Sequence, residues 1–303
     1  MPCFADAAAL MSPTVTPVTI PFEGTALNGY LYQPPGGGPA ATCVMHGGFD
    51  STAEEWHHIG ALAARQRGYT VITFDGPGHP GRTTATGWCS GPTGRVWSAR
   101  SSTGPWPVPR STPARIALFG LSMGGGLAPR AAAFEPRLAA LVCIDGIYDI
   151  GQAYTAPLGL GADTERRLTA GTDPELDATL ARLTHTSSQV RWGLPPGHVV
   201  LRRRHAPGVP GRQPRLPPPR RDRREDHLPD VRRPRRIDHF LPGQPEELMA
   251  HLTAPATLAS FTDAEGAGAH AQVGAQRPLC ARMLDWLDQT LAGSGARPTS
   301  SQP

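Results

Sequence analysis

The first quarter of the chain shows two kinds of hydrophobic pattern. Residues 16–20 and 27–32 alternate between apolar and polar side chains on either side of a glycine-containing turn, which predicts a β-hairpin. Residues 41–45 and 70–74 are continuous apolar runs, which are typical of strands buried on both faces of a parallel sheet. Between these runs, residues 53–67 carry large apolar side chains at helical spacing. The pattern therefore predicts a hairpin that leads into a strand, a helix and a second, parallel strand.

A serine lies at a sharp turn near the middle of the chain. The run Gly120-Leu121-Ser122-Met123-Gly124 follows the apolar residues 116–119 and precedes a stretch of small residues, so the pattern is strand, turn and helix. A turn of this kind strains its central residue, requires small neighbours, and leaves the serine hydroxyl projecting above the edge of the sheet. The segment is therefore interpreted as a nucleophile elbow with Ser122 as the nucleophile.

The chain after the elbow continues the alternation of strands and helices. Residues 138–144 form another buried apolar run, and residues 256–261 are predicted to form a later strand. A helix is predicted to end at residues 248–252, and an amphipathic helix over residues 278–291 closes the pattern. Because strands that alternate with helices pack as a mostly parallel sheet covered on both faces, the sequence predicts an α/β fold.

Two segments have neither helical nor strand periodicity. Residues 88–112 are rich in Ser, Gly and Trp, and residues 194–236 contain 13 Arg and 10 Pro. Such compositions bury too little apolar surface to offset the entropy lost on ordering, so both segments are predicted to be disordered. Both begin and end abruptly and carry the residue bias that misread GC-rich codons produce. We interpret them, as a hypothesis, as the result of paired frameshifts.

Composition narrows the function classes. The net charge of +4 arises in residues 194–236, where no interleaved aromatic residues or nucleic-acid-binding motif accompany the arginines. No apolar run reaches the ~18 residues of a membrane span, and no signal-peptide pattern is found. The five cysteines include no C-x-x-C pair, which favours reduced thiols. We expect a cytoplasmic protein that binds neither nucleic acid nor membrane. The sequence is compatible with a homodimer.

Several motifs along the chain match one family of enzymes. They are HGGFDST, FDGPGHPGR, ALFGLSMGGGLAPRAAAFEPR, IDGIYDIG, DHFLPGQPEEL and EGAGAHAQVGA. Together they resemble the α/β-hydrolase superfamily, in the dipeptidyl aminopeptidase and acylaminoacyl peptidase branch that includes 2,6-dihydropseudooxynicotine hydrolase and fermentation-respiration switch proteins. The resemblance implies a hydrolase core in two parts, residues 13–150 and 237–292. A cap is inserted between them over residues 151–236, and it is degenerate because residues 194–236 are the Arg-rich segment.

The resemblance also implies a catalytic triad in the chain order Ser, acid, His. Ser122 is the nucleophile, Asp238 is the acid, and His270 in a glycine-rich loop is the base. The residues that precede Asp238 are mainly Arg and Pro, which cannot form the buried strand that this acid requires for support. Asp145 and Asp149, which follow an earlier strand, are therefore kept as alternative acids.

An oxyanion hole requires backbone N–H groups that point at the developing negative charge. Met123, directly after the nucleophile, provides the first donor, and Gly48 or Phe49 in the loop after residues 41–45 provides the second. The glycine-rich loops match neither a P-loop nor a dinucleotide-binding fingerprint, so no cofactor and no metal are expected.

The predicted function is a serine hydrolase that acts on an ester, an amide or an activated carbon–carbon bond of a small-molecule substrate. The sequence does not name the substrate, because cap residues select it. The alternative is a catalytically impaired hydrolase-like protein, in which the degenerate cap and the missing strand before Asp238 leave the acid unsupported.

Overall fold

A computed structural model describes ten parts of the chain: residues 2–11, 15–22, 25–48, 50–76, 115–135, 137–155, 167, 173–188, 190–191 and 241–293. The two segments predicted to be disordered, 88–112 and 194–236, lie outside the described residues, as do Phe49 and Asp238. The predicted division into residues 13–150, 151–236 and 237–292 stays a prediction.

The strands of the described residues are β1 (Val15–Phe22), β2 (Thr25–Tyr32), β3 (Thr42–His46), β4 (Thr70–Phe74), β5 (Ile116–Leu121) and β6 (Leu138–Ile144). They form one mixed sheet in the order β1-β2-β4-β3-β5-β6. The antiparallel pair of β1 with β2 confirms the predicted hairpin. Strand β2 is also antiparallel to β4, and β4, β3, β5 and β6 run parallel to one another.

One helix precedes the first strand, and the others lie between and after the strands, as in an α/β fold. They are α1 (Pro2–Leu10), a π-helical turn (His57–Ala61) continued by α2 (Leu62–Gln66), α3 (Met123–Ala132), α4 (Ile150–Thr155), α5 (Pro174–Thr186), α6 (Gln244–His251) and α7 (Gln276–Gly293). Short 3-10 turns occur at Asp263–Glu265 and His270–Gln272. No helix in the described part of the chain has the length and apolar character needed to cross a membrane.

Two apolar clusters cover the two faces of the sheet, because neighbouring residues of a strand point to opposite sides. In β5, Phe119 belongs to one cluster and Leu118 to the other. The first cluster includes the buried face of α7, with Leu284 and Leu287, and the second includes Leu127 of α3. The prediction of helices on both faces is therefore confirmed.

Two predictions differ from the structure. Residues 256–261 are not a strand: the segment pairs with no strand of the described chain, and all but its last residue are at least partly exposed. Its apolar and small residues suit an extended backbone, but a strand forms only where a neighbouring strand shares its hydrogen bonds. The helix predicted from residue 53 begins at His57, and its first turn is π-helical.

Candidate active site

Ser122 lies at the carboxyl end of β5, where the chain turns sharply into α3. Its backbone has φ 56° and ψ −122°, a conformation that a non-glycine residue rarely adopts. The turn is held by two backbone hydrogen bonds: Ser122 N–H donates to the Ile144 carbonyl at 3.0 Å, and Gly125 N–H donates to the Ser122 carbonyl at 2.7 Å. Ser122 is thus fixed at the edge of the sheet with its side chain half-buried.

Glycines allow this turn because other backbone groups press against it. A Cβ placed on Gly124 would lie 2.6 Å from the Gly47 carbonyl oxygen, and one on Gly120 would overlap the backbone of Gly124. A Cβ on Gly125 would lie 2.9 Å from the carbonyl oxygen of Ile144. Since real Cβ atoms do not make such contacts, the small residues recognised in the sequence are required for the packing of the elbow.

His270 comes from the other end of the chain to meet Ser122. Its Nε2 lies 2.9 Å from Ser122 Oγ, across a separation of 148 residues. The histidine begins the 3-10 turn His270–Gln272, and its side chain remains 28% exposed. The structure therefore brings together the predicted nucleophile and the predicted base at hydrogen-bonding distance.

Asp145 is the carboxylate beside His270 in the described part of the chain. It follows directly on β6, and its Oδ2 lies 3.4 Å from His270 Nδ1. The side chain is 1% exposed. The predicted acid, Asp238, lies outside the described residues, so its position relative to His270 stays a prediction.

Asp149, the other alternative acid, has a different role. Its carboxylate accepts a hydrogen bond from Gln152 N–H at 3.0 Å, and its residue is exposed. This is the contact of an N-cap at the start of α4. The amide oxygen of buried Gln244 accepts hydrogen bonds from the backbone N–H groups of Tyr148 and Asp149, which fixes the loop to α6. These contacts give Asp149 a structural explanation.

Two of the three predicted oxyanion-hole residues can be located. A Cβ on Gly48 would lie 2.9 Å from Ser122 Cβ and 3.1 Å from Ser122 Oγ, so the Gly48 backbone borders the nucleophile. Met123 is the first residue of α3, where the N–H groups have no carbonyl partner within the helix. Phe49 lies outside the described residues.

Gln272 is a buried polar residue of the site that the sequence analysis did not single out. Its Nε2 donates a hydrogen bond to Asp145 Oδ1 at 2.9 Å, and the residue is 4% exposed. A glutamine two positions after a histidine is not a catalytic motif. Only the three-dimensional structure identifies Gln272, because its contact with Asp145 joins residues that are 127 positions apart in the sequence.

Three described cysteines are not alternative nucleophiles. Burial raises the pKa of Cys143 to about 12, and it also raises the pKa values of the Cys43 and Cys280 thiols above their ordinary value. These thiols stay protonated at neutral pH, and a protonated thiol is a poor nucleophile.

Comparison with known proteins identifies the family. The model of the alpha/beta hydrolase fold family matches residues 43–222, which is more than half of the chain. The chain belongs to the α/β hydrolase family. This agrees with the elbow between β5 and α3 and with the parallel strands β4, β3, β5 and β6.

Two similar proteins with curated names come from fungi. The chain is 37% identical over 209 residues to the hydrolyase ccsE of Aspergillus clavatus, which covers 62% of this chain and 46% of that protein. It is 37% identical over 163 residues to the hydrolase LUC6 of a Fusarium species, which covers 49% of this chain and 38% of that protein. The chain thus spans less than half the length of these relatives.

Solved structures give the same fold. The 2,6-dihydroxy-pseudo-oxynicotine hydrolase superposes with a TM-score of 0.61 at 21% identity, covering 97% of this chain and 73% of that one. AbyA5 superposes with a TM-score of 0.53 at 18% identity, covering 94% of this chain and 74% of that one. At these identities the likeness is one of fold.

Proposed function

We propose that the protein is a serine hydrolase with Ser122 as its nucleophile and His270 as its general base. The observation that carries this proposal is the 2.9 Å contact between His270 Nε2 and Ser122 Oγ at a strained elbow. A serine hydroxyl is a weak nucleophile by itself, and an adjacent base within hydrogen-bonding reach is what activates it. The family and the names of the relatives support hydrolysis as the reaction class.

The proposed reaction has two steps. In the first, Ser122 Oγ attacks the substrate carbonyl carbon while its proton passes to His270 Nε2, which then protonates the leaving group. In the second, His270 takes a proton from water, the resulting hydroxide attacks the acyl-enzyme, and Ser122 regains its proton. The N–H groups of Gly48 and Met123 stabilise the oxyanion that forms in each step.

The substrate class is an ester, an amide or an activated carbon–carbon bond next to a carbonyl in a small molecule. All three place a carbonyl carbon before Ser122 and require a leaving group that His270 can protonate. With a carbon leaving group, the proton goes to the carbanion that the adjacent carbonyl stabilises. The same Ser122 and His270 therefore serve all three bonds.

The full-length protein should react with a fluorophosphonate probe and should hydrolyse a short activated ester such as p-nitrophenyl acetate. Ser122→Ala should remove both activities, because the attacking oxygen is lost and the fold is retained. Ser260→Ala is the matched control: Ser260 is exposed, and the structure uses its backbone carbonyl in a contact with Arg282. This control should label and turn over like the wild type.

Two results would count against the proposal. Ser122→Ala that keeps more than about a hundredth of the wild-type turnover would show that another group attacks the ester. Failure of the folded wild type to label would favour the alternative, a hydrolase-like protein that is catalytically impaired.

A further inference from the structure

We infer that Asp145 is the carboxylate that orients His270, and that Gln272 is a positioning residue that holds Asp145. The inference rests on the proposed serine hydrolase function. It selects one of the three candidate acids and adds a residue for which the sequence pattern gives no role.

The two oxygens of Asp145 have separate partners. Oδ2 accepts a hydrogen bond from Ala271 N–H at 2.6 Å and lies 3.4 Å from His270 Nδ1. Oδ1 accepts the hydrogen bond from Gln272 Nε2 at 2.9 Å. A buried carboxylate is costly unless it is paired and hydrogen-bonded, and here three consecutive residues of one turn provide its partners. The contacts fix both the position and the orientation of the carboxylate.

The same contacts hold the turn that carries His270. Asp145, Ala271 and Gln272 have φ values of 59°, 56° and 51°, in the left-handed region that non-glycine residues rarely occupy. Such a residue is strained and persists only where the surrounding structure enforces it. The hydrogen bonds from Ala271 and Gln272 to Asp145 supply that constraint. Loss of the carboxylate would therefore release His270 from its place beside Ser122.

The backbone links Asp145 to the nucleophile. Ser122 N–H donates to the carbonyl of Ile144, the residue before Asp145, at 3.0 Å. The elbow glycine Gly125 packs against the same carbonyl. Because β5 and β6 are parallel neighbours, their carboxyl ends meet at one edge of the sheet. The acid and the nucleophile are thus positioned by adjacent strands.

The chemistry follows from the tautomer of His270. Nε2 must accept the proton of Ser122, so in the resting state the imidazole proton is on Nδ1, the nitrogen that faces Asp145. When Nε2 takes up the second proton, the carboxylate stabilises the imidazolium. The 3.4 Å separation is long for a hydrogen bond, and catalytic contacts of this kind shorten in the substrate complex.

The test compares Asp145→Asn, Asp149→Asn and Asp238→Asn by kcat and KM on an activated ester, with thermal melting to check the fold. Asparagine tolerates a positive φ and keeps one oxygen for Ala271 N–H, so Asp145→Asn should fold. It should lower kcat by about 10⁴-fold with little change in KM, because the amide cannot fix the tautomer or stabilise the imidazolium. Asp149→Asn keeps an equivalent N-cap and should match the wild type.

Two further variants separate positioning from folding. In a His270→Ala background, adding Asp145→Asn should cost nothing more, since residues that act as one unit are not additive. Gln272→Ala should lower kcat by about tenfold or more at unchanged KM, because a small displacement of a catalytic group already slows the reaction. If Asp145→Asn lowers kcat further in the His270→Ala background, Asp145 does not act through His270, and the inference is wrong.

The result that overturns the inference is a large loss in Asp238→Asn together with near-wild-type kcat in Asp145→Asn. Should Asp145→Asn fail to fold, Asp238→Asn alone decides: full activity supports Asp145, and a loss of about 10⁴-fold refutes it. Phosphonate labelling of the wild type separates this inference from the proposed function. An unlabelled wild type refutes the function, whereas a labelled wild type with an equally fast Asp145→Asn refutes only the role of Asp145.

Discussion

Two histidines of the molecule lie in opposite kinds of surroundings. His270 is partly exposed and lies between a hydroxyl oxygen, Ser122 Oγ, and a buried carboxylate, Asp145. His57 is buried, with its ring 5.6 Å from that of Phe4 and 5.9 Å from that of Tyr32. In the first region polar groups lie within reach of one another, whereas in the second aromatic rings pack around the imidazole, with His58 and Arg65 nearby. The same side chain is thus the proposed general base in one region and a packing element in the other.

Backbone strain follows the same division. In the described part of the chain, the non-glycine residues with positive φ are Ser122, Asp145, Ala271 and Gln272, and all four belong to the region of His270. The core around His57 contains none of them. Strain held at one place must be offset by ordinary packing elsewhere, which explains why a regular, apolar core underlies a strained site. The two regions should therefore respond differently to mutation. Substitutions in the site should mainly lower kcat, and substitutions in the core should mainly lower the free energy of unfolding.

Gly48→Ala tests the region of His270. Its new Cβ would lie 2.9 Å from Ser122 Cβ, so the nucleophile or the proposed oxyanion donor must move. We expect kcat to fall by about 10²–10³-fold, the usual cost of a lost oxyanion donor, with little change in the melting temperature. The measurement is kcat on an activated ester together with a thermal melt.

The matched control for Gly48→Ala is Gly60→Ala. Gly60 lies in the π-helical turn beside α2, where a Cβ would meet the flexible end of Met283, its Cε, at 3.3 Å and the Trp56 ring at 3.7 Å, an ordinary van der Waals distance. Alanine inside a helix is favoured over glycine by roughly 0.5–1 kcal/mol, so this variant should be as stable as the wild type or more so, with unchanged kcat. An equal fall in kcat in Gly48→Ala and Gly60→Ala would show that the two regions do not respond differently to mutation.

Leu287→Ala tests the core. Leu287 is fully buried on α7, in the same apolar cluster as Tyr32. Truncation removes apolar contacts and leaves a cavity, so the free energy of unfolding should fall by about 2–5 kcal/mol. Below the melting temperature, kcat should stay close to the wild-type value. Denaturant unfolding followed by an ester assay checks both parts, and a large fall in kcat of the folded variant would show that the core and the site are coupled.

The same division explains what could be predicted from the sequence. The place of Ser122 at the turn was predictable because small residues and apolar periodicity are local signals. The place of His270 in the site was predictable because its position in the chain order and the neighbouring glycines mark its loop. The direction of the Asp145 carboxylate could not be predicted. It depends on a left-handed backbone and on hydrogen bonds from Ala271 and Gln272, which lie more than a hundred positions later in the sequence. The strand predicted at 256–261 failed for a related reason, because pairing requires a neighbour that no local pattern specifies.

The smallest expected effect concerns the pH dependence of His57. Its pKa is lowered by burial first, and then by the nearby positive charges of His58 and Arg65. The unfolded chain therefore binds a proton at His57 more readily than the folded protein. Stability is highest above the ordinary histidine pKa of about 6.5 and declines as the pH falls from there toward the lower pKa of the folded state.

His57→Phe should remove this dependence while keeping a ring against Phe4 and Tyr32. The substitution removes no hydrogen bond at His57 Nδ1, because this atom is buried and has no hydrogen-bond partner among the described residues. Between about pH 7.5 and pH 5.5, the melting temperature of the wild type should decline more steeply than that of the variant, because a buried aromatic ring has no charged form to penalise. The other titrating groups are common to both proteins, so the difference between the two curves isolates His57. Parallel curves would mean that His57 is protonated as easily in the folded protein as in the unfolded chain, and that its surroundings are less apolar than the structure indicates.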